Sequence, residues 1–493
     1  MTAAAISSPP QPARLDGKLV LKGAGVLAAL CAALAPLSPD AVALAVGGAV
    51  PWLCLRIVYT PAMPAALIYL FLWQWLQIFA RVVQAWVDGE SLSTSLSGTN
   101  VAYAYWYMMA SLVVLAVVFR LVLMDMKPAT PAQRTAHYRW NVRQLLVLYI
   151  LGFLGSSFAA VLGRGGLAQP IETLGHVKVV ALFMLFVYVM STMRGIRVML
   201  VVVAFEIAIG FTGFLADFRS VFIFLTIAAV TARVRWRLST GVFGACGLVA
   251  LILMALFWTA VKNDYRDYAS NFSESQVISV PLSDRMAYLG GKLLSFGDVD
   301  FGRTAYMLLS RFAYVDIFAS VIDVQQVVQE PTTMRQWQEA MDHVFKPRVF
   351  FPDKPELSDS DVYLRLTGRV LLDEILRGTS ISVGYMGENF ADLGFPGMLL
   401  GVAVLGLLLA GCIRILMSFD LPLVMREGIV MAFVFSIARD GVEISLPKMI
   451  GAALMFMIIF LPMIAFVAPQ VIQRLDRPAQ MAARARAPRA ARR

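Results

Sequence analysis

One polar block breaks an otherwise apolar chain. Residues 262–396 hold 13 Lys and Arg against 19 Asp and Glu, a net charge of −6, while the remainder carries +16. On either side, apolar runs long enough to cross about 30 Å of hydrocarbon recur. At 59% hydrophobic and 15% charged, the chain lies outside the range of soluble globular domains. A run that crosses lipid must satisfy its backbone polar groups internally, so each is expected to be a helix. The expectation is an all-α polytopic membrane protein with about twelve spans. They fall at 23–38, 41–58, 62–84, 101–124, 144–163, 175–193, 198–216, 218–234, 240–261, 397–417, 428–444 and 447–468. The eleventh is the weakest, since its clearly apolar part runs only from Gly428 to Ala438.

Basic residues set the orientation. Lys18 and Lys22, Arg56, Arg134 and Arg143, Arg194 and Arg197, Arg233 to Arg237, Arg414 and Arg426, and the Arg-rich tail fall on one side if twelve spans are counted. Lys and Arg accumulate on the cytoplasmic side. Both termini are then cytoplasmic and the large loop is extracytoplasmic. The organisation is a head (1–18), nine spans (19–261), a catalytic loop (262–396), three spans (397–468) and a basic tail (469–493). The head lacks the order of a cleaved signal, so the first span is expected to stay. The overall charge of +10 speaks for topology and anionic lipid, not nucleic acid. All four cysteines lie in apolar spans, and three histidines are scattered at His137, His176 and His343. Neither residue type has metal-ligand spacing, which argues against a zinc hydrolase. No metal or cofactor is expected.

Polar groups inside the spans are few. Gln74, Gln77, Arg81 and Gln84 are spaced 3, 4 and 3 and share one helix face. That stripe either bonds neighbouring helices or walls a groove for a polar headgroup. Glu206 sits alone in the seventh span and needs a partner or a function. A tight turn between the seventh and eighth spans places Asp217 and Arg219 at the outer surface. There they anchor helix ends or point into an outward-facing cavity.

A connector of about 135 residues is long enough to carry structure and function. Helices are expected over 303–328, 334–344 and 360–377. The first presents Arg303, Met307, Arg311 and Tyr314 on one face and Phe312, Val315, Phe318, Ala319 and Ile322 on the other. Between the second and third, Pro347, Pro352 and Pro355 make a stiff loop that presents Arg348, Asp353 and Lys354. Before the tenth span, Tyr385, Glu388 and Asp392 are 3 and 4 apart, a phenol and two carboxylates on one face. Arginine forks suit a diphosphate and its developing charge. A carboxylate shielded at the membrane edge, Glu388, suits a general base. The alternative is that these charges merely solvate the loop. Asp298-Val-Asp300 and Asp359-Ser-Asp361 have the form of metal-diphosphate pairs, but the tripeptide is common.

The assembled pattern resembles the Wzy-type oligosaccharide repeat-unit polymerases of bacterial O-antigen and exopolysaccharide synthesis. The pieces that carry the resemblance are Gly213 to Arg219, Trp258 through Lys262 to Arg266, Lys346-Pro347-Arg348 into Phe351 to Pro355, and Gly387 to Phe390 with Leu393-Gly394. It covers most of the membrane region and the loop. It implies a metal-independent glycosyltransferase of GT-C-like architecture in the bacterial inner membrane. Such an enzyme moves a glycan from undecaprenyl diphosphate to the terminal sugar of another lipid-linked unit, at the periplasmic face. The implied diphosphate binders are Arg219, Arg266, Arg348 and Arg311, and the implied base or sugar ligand is Glu388. Lys354, Tyr385, Arg439, Gln77 and Arg81 complete the expected binding set. A flippase and a chain-length regulator are the implied partners. Two other readings stand beside it. An O-antigen-type ligase shares the architecture and wants a loop histidine, for which only His343 qualifies. A flippase or other transporter leaves the large loop without a role.

Overall fold

The computed structural model describes residues 14–94, 100–162, 168–213, 217–272, 278–328, 333–346, 350–351, 353–354, 358–369 and 380–486. Among these residues the structure is helical, with no strand. The first ten helices are α1 (Gly17–Leu34), α2 (Ala41–Val58), α3 (Ala66–Asp88), α4 (Val101–Leu123), α5 (Pro131–Thr135), α6 (Val142–Leu162), α7 (Ala168–Thr192), α8 (Ile196–Thr212), α9 (Arg219–Thr231) and α10 (Leu238–Ala269). The loop region forms α11 (Leu282–Leu294), α12 (Phe301–Phe312), α13 (Val315–Val328), α14 (Arg335–Phe345) and α15 (Asp359–Thr367). The chain closes with α16 (Gly384–Ser418), α17 (Leu423–Ala438), α18 (Leu446–Pro462) and α19 (Ala468–Arg486).

Among the described residues, eight helices are long and apolar enough to cross a membrane, or nine if Pro131–Arg139 and Val142–Phe158, which meet at a bend of 90°, form one span. The expected seventh, eighth and eleventh spans correspond to α8, α9 and α17, of 17, 13 and 16 residues. Local signals explain the helix ends. Asp16 Oδ1 accepts the N–H groups of Lys18 and Leu19 and starts α1. Gly89, at φ +71°, ends α3 by donating back to Ala85 and Trp86. In α16 the helix breaks at Gly394 (φ 60°) and Phe395, next to Pro396. That break coincides with the expected boundary between loop and tenth span.

The chain passes between two ends. At one, the Leu15 N–H donates to the Val234 carbonyl at 2.8 Å, Trp140 Nε1 donates to Asp476 (3.1 Å), and Gln133 reaches Asp420 (2.7 Å). These are the segments whose basic residues mark one side. At the other end sit α11–α15, the Asp217–Arg219 turn and the Arg439–Glu443 segment. Here the loop is not an appendage. Val315, Phe318, Ala319 and Ile322 are buried in the same core as the membrane helices, as their spacing requires.

Two loop expectations change. The helix expected over 303–328 is broken into α12 and α13, because the Tyr314 N–H donates to the Gln77 carbonyl (3.2 Å) of α3 and its hydroxyl to the Ser382 carbonyl. The helix expected over 360–377 stops at Thr367, where Gly368 adopts φ 62° and donates back to Leu364. Residues 370–379 lie outside the described residues. Glu206 finds its partners in neighbouring helices, Lys178 at 2.8 Å and the Tyr149 hydroxyl.

Candidate anion-binding site at the loop end of the bundle

The site is organised by a break between two helices. After α17 ends at Ala438, Gly441 takes φ +67°, and the short turn Gly441–Glu443 carries the chain to α18. Only glycine fits this position. A Cβ there would stand 1.8 Å from Gln77 Oε1, and the backbone conformation disfavours any L side chain. The close approach lets Gln77 read the turn. Its amide donates to the Asp440 carbonyl (3.1 Å) and to Glu443 Oε1 (2.9 Å), and it accepts the Val442 N–H (2.8 Å).

Cations surround Glu443. Arg219, the first residue of α9, donates to the Arg439 carbonyl (3.2 Å) and lies over the Trp73 ring, 4.9 Å from its centroid. Trp73 is held edge-on by Phe312 of α12. Arg311 of α12 faces the same space. Its surface is open to water, yet neighbouring atoms crowd it enough for burial to lower its pKa; Glu443 opposes that fall and the like charge of Arg219 adds to it. Arg266, at the end of α10, lies close enough to feel the charge of Arg311. Glu443 lies outside the crossing helices and is half-buried. Burial and the neighbouring Asp440 push its pKa up to about 7, against the pull of Arg219, Arg311 and Gln77.

None of Arg219, Arg311 and Glu443 stands within 4.0 Å of an oppositely charged side chain among the described residues. Charges that sense each other without collapsing into ion pairs keep hydrogen-bonding capacity for a ligand. Arg439 differs, since it pairs with Asp217 at 3.6 Å and joins the cluster through its carbonyl.

The other expected site residues take structural places. Gln77 and Arg81 are 1% and 2% exposed. The polar stripe of α3 grips the loop instead of walling an open groove. Gln74 accepts from the Tyr385 hydroxyl (2.6 Å), Arg81 pairs with Asp316 of α13 (2.7 Å), and Gln84 donates to Ser310 (3.1 Å). Glu388, expected as a shielded carboxylate at the membrane edge, is buried more deeply than that, at 2% exposed. Its Oε2 accepts the Leu446 N–H (2.6 Å) at the start of α18, where a carboxylate suits the helix N-terminus. Asp392 does the same for α14, accepting from Gln336 and Trp337 (2.9 and 2.8 Å). Tyr385, Glu388 and Asp392 do share a face, but that face is buried and clamps the loop helices to the bundle. Lys354 donates to the carbonyls of His343 and Lys346 and ties down its own loop. Arg348 lies outside the described residues. Of the two Asp-x-Asp pairs, Asp300 caps α12, and Asp359 pairs with Lys448 (2.6 Å) and Ser445 (3.0 Å).

Sequence reasoning brought Arg219, Arg266, Arg311, Arg439 and Gln77 forward, and the structure gathers them. It passed over Glu443, absorbed into the end of the eleventh span. The available signal was an acid two residues after a glycine at a span terminus. Comparison of the chain with protein-family models, curated proteins and solved structures finds no match.

Proposed function

We propose that this protein is a metal-independent polymerase that joins polyprenyl-diphosphate-linked oligosaccharide repeat units at the extracytoplasmic face of a bacterial inner membrane. One observation carries the reading: Arg219, seated on Trp73, and Arg311 of α12, whose Phe312 packs on the same ring, come together where α12 meets the end of the bundle, and Arg266 lies near enough to Arg311 to feel its charge. A lipid diphosphate presents its charge at that level. Guanidinium forks match phosphate oxygens and gain strength as the leaving group develops charge in a shielded recess. The integration of α13 into the membrane core supports the same view, because it fixes the loop relative to a substrate whose tail stays in lipid.

The proposed topology is twelve passes of GT-C-like form, with both termini cytoplasmic. The short α8, α9 and α17 supply three of the passes, since each runs between the same two ends as the eight longer helices. The one-sided basic residues support the orientation. On this reading a flippase delivers the substrate and a chain-length regulator limits the product.

Deleting the gene in its host tests the class. Loss of a polymerase leaves single repeat units capping the acceptor. Absence of all repeat units would favour the flippase, and long unattached chains would favour the ligase.

A further inference from the structure

We infer that Glu443 is the general base of the transfer, the group that takes the proton from the acceptor sugar hydroxyl. The inference rests on the polymerase reading and adds to it the residue that activates the acceptor.

Three observations carry it. First, placement: Glu443 is on the turn between α17 and α18, near enough to Arg219 and Arg311 to feel both charges, and it is partly open to water. Second, freedom: its carboxylate accepts one neutral amide hydrogen bond from Gln77 (2.9 Å) and pairs with no cation within 4.0 Å among the described residues. A carboxylate locked in an ion pair is a poor base, whereas one aimed by an amide keeps lone pairs for a hydroxyl. Third, competition: four other acids at this end are already used. Glu388 and Asp392 cap α18 and α14 and are 2% and 1% exposed, Asp359 holds Lys448, and Asp217 holds Arg439.

The groups that face Glu443 come from every element around it. They are Gln77 of α3, Arg219 of α9, Arg311 of α12, Tyr314 between α12 and α13, and Asp440 on its own turn. Two cations and the Gln77 amide offset part of the cost of burial, to which Asp440 adds, and this leaves a basicity near neutral, where general bases work best. The step balances. The acceptor hydroxyl oxygen bonds to the anomeric carbon of the donor glycan while its proton passes to the Glu443 carboxylate. The bond from the anomeric carbon to the diphosphate oxygen breaks, and its electron pair leaves on the polyprenyl diphosphate. Arg219 and Arg311 meet that added negative charge. The proton on Glu443 then returns to water.

The test uses the full-length protein in detergent or liposomes, with lipid-linked repeat units as substrate and undecaprenyl diphosphate as the binding probe. Glu443→Gln should lower the polymerisation rate by about a hundred-fold or more. It should leave the affinity for undecaprenyl diphosphate and the unfolding temperature unchanged. Glu443→Asp should retain a fraction of the rate. Active Glu443→Gln, within about tenfold of wild type, overturns the proposal. So does weakened diphosphate affinity with an unchanged rate at saturation, which would make Glu443 a positioning residue. If Glu443→Gln does not fold, the wild-type pH profile decides. A deprotonated base requires the rate to fall as pH drops through the value of about 7 to which burial raises Glu443, and a flat profile there overturns the proposal. Wild-type protein that makes no polymer rejects the polymerase reading itself, whereas active wild type with active Glu443→Gln rejects only the base.

Discussion

Replacing Asp316 by Asn tests how the polar face of α3 is used. Arg81 is buried, its side chain 2% exposed, and its Nε lies 2.7 Å from Asp316 Oδ1, whose side chain is 25% exposed. Asp316→Asn leaves a guanidinium deep in the protein without this counter-charge. Breaking a buried pair from one side costs about 3–5 kcal/mol. The reverse change, Arg81→Met, strands a carboxylate that water already reaches, and should cost about 1–3 kcal/mol. The double variant should recover part of the loss, with a coupling of about 1–3 kcal/mol for side chains in direct contact. Chemical unfolding in mild detergent, followed by tryptophan fluorescence, measures each value. Limited proteolysis of the loop should accelerate in parallel, because Asp316 belongs to α13, the helix that seats the loop in the core. If the α3 stripe instead walls a headgroup groove, Asp316→Asn would cost less than about 1 kcal/mol and act only on substrate affinity. That result would refute the docking role.

Glu388→Gln keeps an oxygen for the Leu446 N–H and loses only the charge at the start of α18, worth about 0.3–2 kcal/mol. It should express at a slightly lower level and still make polymer; a well-expressed variant without polymer would return Glu388 to the chemistry. Gly441→Ala combines φ +67° with a Cβ 1.8 Å from Gln77 Oε1. Strain of this kind costs about 1–3 kcal/mol, and displacing Gln77 also releases Glu443. Both a lower unfolding temperature and a loss of polymer are expected, and a stable, active Gly441→Ala would contradict the role of the turn.

Much of the architecture was legible because lipid simplifies the problem. A long apolar run has only the helical solution, and positive charges sort to one side, so the helices and the gathering of basic segments at one end followed from composition and order. The apolar face of α13 was legible for the same reason: Phe318, Ala319 and Ile322 recur at helical spacing. Periodicity also placed Tyr385, Glu388 and Asp392 on one face and Gln74, Gln77 and Arg81 on another. What those faces meet was not legible. A carboxylate reads alike whether it greets a substrate or, as Glu388 and Asp392 do, caps a helix 58 or 56 residues away.

The sequence by itself determined the helical class, the membrane-facing composition, the position of the loop and the stock of arginines at its edge. Only the tertiary structure decided which charges are spent and which remain available. Glu388 and Arg81 are consumed by Leu446 and Asp316, contacts across 58 and 235 residues. Glu443, Arg219 and Arg311 come from three separate elements and meet without pairing. The physical reason is that helical periodicity is local and fixes direction within one element. The partner of a buried charge is instead set by long-range packing, which brings together residues with no spacing in common.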